Sequence, residues 1–225
     1  MNKAVNKAVN KALNKALNRT LVKICGVRDR ATAECAVSSG AHFVGVVLVP
    51  SSPRFLAPDE ASELALDIVA AGAMPVAVLR HPFDDATRRA LDAFPVLQFH
   101  GAEEPGDIAG LARGGGSWEI WKGLHFAPSS IDAWLASRVV TRLVVDGPVA
   151  GSGVAFDHAA FGALPEETRR RSLLAGGLDP SNVGTAIRTA RPAGVDVSSG
   201  VERERGVKDH ELIRRFIEAV RAADA

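Results

Sequence analysis

Apolar residues in this chain fall in short runs separated by longer amphipathic stretches, and the alternation is regular. Runs rich in branched and aromatic residues occupy 21–25, 43–48, 75–79, 96–99, 118–121, 143–145, 172–175 and 195–197. Six of the eight have the four to six residues of a buried strand, and 143–145 and 195–197 fall one residue short of that. Between and after them, helix-like segments lie at 29–39, 58–71, 84–93, 103–113, 129–137, 157–164, 180–190 and 208–223. Asp29, Asp84, Ser129 and Asp157 stand where helix caps belong, and Asp179 precedes Pro180 in the same way. Eight strand–helix units of about 25 residues, strands buried and helices amphipathic, predict an α/β fold: a single closed (β/α)8 TIM barrel. An open, doubly wound sheet is the competing arrangement. No Gly-x-Gly-x-x-Gly follows the first run, which counts against its dinucleotide-binding form.

The pattern does not extend to the start of the chain. Residues 2–18 repeat every four positions as Asn-Lys-Ala-Val or Asn-Lys-Ala-Leu. Val5, Val9, Leu13 and Leu17 form a thin stripe that drifts around a helix, because four residues overshoot a 3.6-residue turn. Asn lowers helix propensity further. Residues 1–20 are therefore expected to be a low-complexity extension, frayed or weakly helical, ahead of a barrel domain at 21–225. A docking helix for a partner or surface is the functional alternative.

Composition narrows the classes. A chain of 225 residues, 47% hydrophobic, can bury a full core as one domain. A net charge of +1 argues against a nucleic-acid partner. The two cysteines, Cys25 and Cys35, form no Cys-x-x-Cys or Cys/His cluster, so neither a metal site nor a disulfide framework is expected. No apolar run approaches the roughly 18 residues of a membrane span. The expected setting is cytoplasmic, with no membrane partner.

In a barrel of this kind the chemistry lies at the C-terminal ends of the strands. The first run reads Leu21-Val-Lys-Ile-Cys-Gly26, and alternation puts Leu21, Lys23 and Cys25 on one face. The sixth ends on Asp146, so Cys25 and Asp146 face each other across the mouth. A thiolate is a competent base, and a carboxyl with a raised pKa is a proton donor. The glycines and serines of Ala175-Gly-Gly177 and Asp196-Val-Ser-Ser-Gly200 follow the seventh and eighth strands, where backbone N–H groups commonly bind phosphate. Arg54, after Ser52-Pro53, either meets a carboxylate bidentately or is an ordinary surface arginine. Gln98 and His100 share an inward face, and a lone histidine there is more often structural than catalytic. Lys23 sits one layer below Cys25, where its ammonium favours the thiolate. Asp196, on the neighbouring inward face, is the expected partner for Lys23. Cys35, Trp118, Trp121 and Trp134 read as packing.

These residues resemble one family, motif for motif and in order. Lys23-Ile-Cys-Gly26, Ser52-Pro-Arg-Phe55, Gln98-Phe-His-Gly101, Val145-Asp146, Gly151-Ser-Gly153, Ala175-Gly-Gly-Leu178 and Val195-Asp-Val-Ser-Ser-Gly-Val-Glu202 with Gly206-Val-Lys-Asp209 are similar to phosphoribosylanthranilate isomerases over residues 21–216. The resemblance implies an Amadori rearrangement in tryptophan biosynthesis without cofactor or metal. Its implied substrate is a small phosphorylated sugar–anthranilate, and no oligomer is specified, a monomer being slightly favoured. It makes Cys25 the general base and Asp146 the general acid, with Arg54 on the anthranilate carboxylate. Gln98, His100 and Asp196 join Gly176, Gly177, Ser198, Ser199 and Gly200 as substrate-binding residues, the glycine and serine loops holding the phosphate.

Three features depart from the family pattern. A lysine usual after the Gly-Ser-Gly loop is replaced by Val154, Phe99 replaces a leucine, and the repeat at 2–18 has no counterpart. Two other readings compete. The related isomerase of histidine biosynthesis is similar in architecture but uses two aspartates, and Cys25 separates the two. A degenerate, non-catalytic barrel is disfavoured by the retained Cys25 and Asp146. Removing residues 1–19 should leave turnover unchanged and shift thermal unfolding by no more than about 0.5 kcal/mol, as a surface change does. A large loss of stability would mean that the repeat packs on the barrel.

Overall fold

The computed structural model describes residues 19–113, 118–147 and 156–225. The repeat at 2–18 and the Gly-Ser-Gly loop with Val154 lie outside these residues. The strands are β1 (Leu21–Cys25), β2 (Phe43–Val47), β3 (Met74–Leu79), β4 (Val96–Phe99), β5 (Glu119–His125), β6 (Arg142–Asp146), β7 (Ser172–Leu174) and β8 (Gly194–Val197). Each pairs in parallel with the next, and β8 returns to β1, closing an eight-stranded barrel.

Strand parity divides the core into two layers. Val22, Ile24, Val44, Val46, Leu97 and Phe99 point outward and pack under the helices. Leu21, Phe43, Met74, Val96, Trp121 and Leu173 fill the interior. Phe43 and Trp121 meet edge to face there, with centroids 4.9 Å apart, a geometry that suits the ring quadrupoles.

The helices are α1 (Arg30–Ser39), α2 (Pro58–Ala71), α3 (Asp85–Ala90), α4 (Pro105–Arg113), α5 (Pro128–Ala136), α6 (His158–Gly162), α7 (Glu166–Arg170), α8 (Val183–Ala190) and α9 (His210–Ala223). Asp29, Asp84 and Asp157 accept hydrogen bonds from the first-turn N–H groups of Thr32, Thr87 and Ala160. Ser129 does not cap: α5 is entered from Ala127 with Pro128 at its first position. Asp179 instead heads a turn, accepting from the N–H groups of Ser181 and Asn182, and α8 starts at Val183 rather than Pro180. The segment expected as one helix at 157–164 ends at Gly162. Pro165 then separates it from α7, since a proline has no N–H to continue the ladder.

Two further differences concern strands. β5 continues to His125, four residues beyond the apolar run, because its backbone pairs with β6 through to His125 opposite Asp146. Lys122 and Gly123 broke the apolar pattern without breaking the ladder. After β8 the chain forms an antiparallel hairpin, β9 (Glu202–Glu204) and β10 (Val207–Lys208). Its Glu-Arg-Glu strand has no apolar alternation, so the pattern carried no sign of it.

At the seam between first and last strands, Lys23 lies opposite Asp196 in register. Lys23 Nζ donates to Asp196 Oδ1 at 2.9 Å, with the lysine side chain wholly buried. This is the contact expected from parity. Replacing Asp196 with Ala would strand the ammonium inside the barrel, and urea unfolding should register a loss of roughly 3–5 kcal/mol. The double change Lys23→Met with Asp196→Leu should recover much of it. A double variant as unstable as Asp196→Ala would show that lost packing, not the stranded charge, dominates.

Candidate active site

The C-terminal end of the barrel opens into a cavity of about 450 Å³, within the range of small-molecule sites. Cys25, Asp146, Gln98, His100 and Asp196 line its floor and walls, and Arg54 leans in from the loop after β2. Gly176, Ser198 and Ser199 line the side formed by the last two strands, whereas Gly177 and Gly200 fall outside the lining. Cys25 and Asp146 end β1 and β6, on opposite sides of the ring.

Two glycines on neighbouring strands make room for these side chains. A Cβ on Gly45 would lie 2.9 Å from Cys25 Sγ and 3.2 Å from Lys23 Nζ. A Cβ on Gly123 would overlap the His100 ring. Neither position was picked out in the sequence. A glycine facing inward in a strand is the signal for a close approach of this kind.

The electrostatics are set by burial. Burial pushes the Cys25 thiol up, and the Lys23 ammonium only partly opposes it, with Asp196 adding to the rise. Lys23 pulls the thiol toward the thiolate, as its place below Cys25 predicts, but desolvation outweighs that pull. Lys23 itself stays charged, since Asp196 and Cys25 outweigh the penalty of its burial. Burial also raises the Asp146 carboxyl, against a pull downward from His100. That is the direction a proton donor requires.

His100 Nε2 lies 4.0 Å from Asp146 Oδ2. Burial lowers the imidazole pKa despite the nearby carboxylates, so the ring is neutral near pH 7. Gln98 Nε2 stands 3.3 Å from His100 Nδ1. With the amide donating, the ring proton sits on Nε2 and faces Asp146. Gln98 Oε1 is then buried without a hydrogen-bond partner among the described residues.

Arg54 is neither a loose surface arginine nor an open fork. Its Nε and Nη2 donate to Glu202 Oε1 and Oε2 at 2.7 and 2.8 Å. Lys208 Nζ donates to the same Oε1 at 2.7 Å and to the Ser198 carbonyl at 2.9 Å. Burial works against the Glu202 charge, but bonds from Arg54, Lys208 and the Gly206 N–H hold its carboxyl down to about 2. A second buried pair, Lys122 with Glu103 at 2.7 Å, braces the turn after β4. Glu103 accepts from the N–H of Gly101, and Lys122 donates to the Gly101 carbonyl. Both pairs were missed as sites; only Lys122, a lysine inside an apolar strand, gave the signal that Lys23 gave. Among the described residues no group of three or more His, Cys, Asp or Glu side chains is arranged to hold a metal ion.

Residues 22–219 match the family model for N-(5'-phosphoribosyl)anthranilate isomerase. The chain belongs to this family. An N-(5'-phosphoribosyl)anthranilate isomerase of Paracoccus denitrificans is 41% identical over 208 residues, covering 87% of this chain and 94% of that protein. The crystal structure of the phosphoribosyl anthranilate isomerase from Thermus thermophilus superposes with a TM-score of 0.76 at 30% identity, over 90% of this chain and 99% of that one. Another isomerase structure, solved with reduced 1-(o-carboxyphenylamino)-1-deoxyribulose 5-phosphate, gives a TM-score of 0.75 at 28% identity over the same shares. The chain is thus a barrel enzyme of tryptophan biosynthesis, an isomerase.

Because burial dominates at Cys25, its thiol should react with iodoacetamide, with no substrate added, only as pH rises beyond the ordinary thiol value of about 8.5. Alkylation rates in a Cys35→Ala background measure this, and Lys23→Met should move the profile higher still. A profile centred below that of a free thiol would reverse the balance drawn between burial and Lys23.

Proposed function

We propose that Cys25 and Asp146 act as base and acid in the conversion of N-(5-phosphoribosyl)anthranilate to 1-(2-carboxyphenylamino)-1-deoxyribulose 5-phosphate. One observation carries this reading: a single cavity is lined by Cys25, Asp146, Arg54 and the glycine and serine loops after β7 and β8. Asp146 gives its proton to the ribose ring oxygen. The C1–O bond breaks as the nitrogen lone pair forms a cationic iminium at C1. The Cys25 thiolate removes the proton from C2, and that electron pair forms the C1–C2 double bond and neutralises the nitrogen. The enolamine takes a proton at C1 and releases one from its C2 hydroxyl, giving the ketone. Two protons are taken up and two released, so the reaction needs no external redox partner.

The raised thiol fits this order of events. The iminium appears beside Cys25 just before the base is needed; its charge adds to that of Lys23 against the cost of burial, and the thiol gives its own proton to solvent to become the thiolate. His100, neutral and facing Asp146, donates to the carboxylate left after the first step. The buried Gln98 Oε1 is an acceptor for a sugar hydroxyl, and Asp196 serves the site through Lys23. Arg54 meets the anthranilate carboxylate. Backbone N–H groups around Gly176, Gly177 and Gly200, with the Ser198 and Ser199 hydroxyls, hold the phosphate.

The barrel from residue 21 onward is read as the whole catalytic domain, with residues 1–20 as an extension. The protein works in the cytoplasm as a monomer on this reading. No described helix is long and apolar enough to cross a membrane. Leu66 is the one large apolar side chain exposed among the described residues, well short of an obligate interface.

The test is to mix the protein with phosphoribosylanthranilate and follow the loss of its anthranilate-type fluorescence. Cys25→Ala and Asp146→Asn should each lower kcat by about a hundredfold or more while KM changes little, the pattern of groups acting in the transition state. Near-parental turnover in Cys25→Ala would move the base elsewhere.

A further inference from the structure

The hairpin after β8 is absent from the eight-unit pattern, yet it carries the partners of Arg54. Glu202 and Lys208 are paired in register across it. Both side chains are almost completely buried. Glu202 uses both oxygens: Oε1 accepts from Arg54 Nε and Lys208 Nζ, and Oε2 accepts from Arg54 Nη2 and the Gly206 N–H. Lys208 Nζ also reaches the Ser198 carbonyl and hydroxyl, and the Ser198 hydroxyl donates to the Cys25 carbonyl. One carboxylate thus ties together the Arg54 loop, the serine loop after β8 and the end of β1.

A guanidinium has two edges that fit a carboxylate. Glu202 occupies the Nε–Nη2 edge. The edge that remains is Nη1–Nη2, which meets a second carboxylate end-on. The stem of Arg54 lies over Gly26, where any Cβ would overlap it. Glu202 on one edge and Gly26 beneath therefore fix the plane and direction of the group. A long, freely rotating arginine would have to lose that freedom on binding, whereas this one has already lost it.

We propose that Glu202, supported by Lys208, is a positioning residue that presents the Nη1–Nη2 edge of Arg54 to the aromatic carboxylate of the substrate. This rests on the reading of Arg54 given above. Lys208 offsets the charge that Glu202 brings beside an anionic ligand, so the pair orients Arg54 without repelling the substrate.

A double-mutant cycle tests the two readings separately. Arg54→Ala alone should raise KM by roughly tenfold or more, the scale of a lost charged hydrogen bond. Glu202→Gln should raise KM by about the same factor with kcat within about threefold, since it acts on binding. In the Arg54→Ala background, Glu202→Gln should add less than about twofold, because its route of action is gone. Inhibition by free anthranilate should weaken in Glu202→Gln, and inhibition by ribose 5-phosphate should not. A parental KM in Arg54→Ala removes the carboxylate reading itself. Given a raised KM there, multiplicative effects in the cycle, an unchanged KM in Glu202→Gln, or equal weakening of both inhibitors overturns the positioning role. If Glu202→Gln does not fold, Glu202→Asp enters the same cycle: the charge is kept but the reach is shorter. It should then raise KM only in the presence of Arg54, and a rise of equal size without Arg54 overturns the proposal.

Discussion

A buried ammonium is tolerable only with a counter-ion in contact, and that constraint fixes the centre of this barrel. Lys23 satisfies it through Asp196, directly across the seam where the last strand meets the first. The pair therefore does two jobs. It rewards correct registration of β8 on β1, because a slip would turn one of the two charges onto the other face and leave its partner alone. It also sets a positive charge beneath Cys25 in a place where solvent cannot screen it. The glycine at position 45 belongs to the same arrangement, since any larger residue would push against both the thiol and the ammonium.

Above that layer, the Asp146 carboxyl and the Cys25 thiol stand at the ends of β6 and β1, and burial shapes both. Burial raises Asp146, which suits a donor, and burial also raises Cys25, which does not suit a base. Burial thus favours the thiol over the thiolate at this position. On the roles proposed for these residues, positive charge developing on the substrate would shift that balance toward the thiolate. The His100 imidazole, neutral near pH 7, is braced by Gln98 beside it and by the Glu103–Lys122 pair behind its turn, and it lies 4.0 Å from the Asp146 carboxyl.

How much of this was legible in the sequence depended on whether a residue's role followed from period and strand end. Lys23, Cys25, Asp146, Gln98 and His100 could be placed because alternation fixes a face and the barrel fixes which end is the mouth. Unit number placed Gly176, Ser198 and Ser199 at the mouth, while Gly177 and Gly200 stand beside the lining rather than in it. Lys122 could not, because an apolar run cut at Trp121 left it outside its own strand. Glu202 and Lys208 were legible only as family motif residues. Their partner Arg54 is far away in the chain, and the short polar hairpin that joins them has no hydrophobic alternation to announce it. Long-range ion pairs between polar loops leave no periodic trace. For the same reason Arg54 was rightly placed over the mouth while the occupant of its fork went unseen.

At the opposite end of the barrel, the Thr20 backbone N–H and hydroxyl donate to Asp224 at 2.9 and 2.6 Å. The stretch that enters β1 and the residue that ends α9 are thus in contact on the face away from the mouth. A short peptide joining these two points would close the backbone into a ring without crossing any catalytic loop. The ring could then be cut at an exposed helix–strand connection on the same face, such as the one near Gly72. The order of the eight units in the gene is therefore separable from their order around the barrel, and a circularly permuted chain should keep the same mouth.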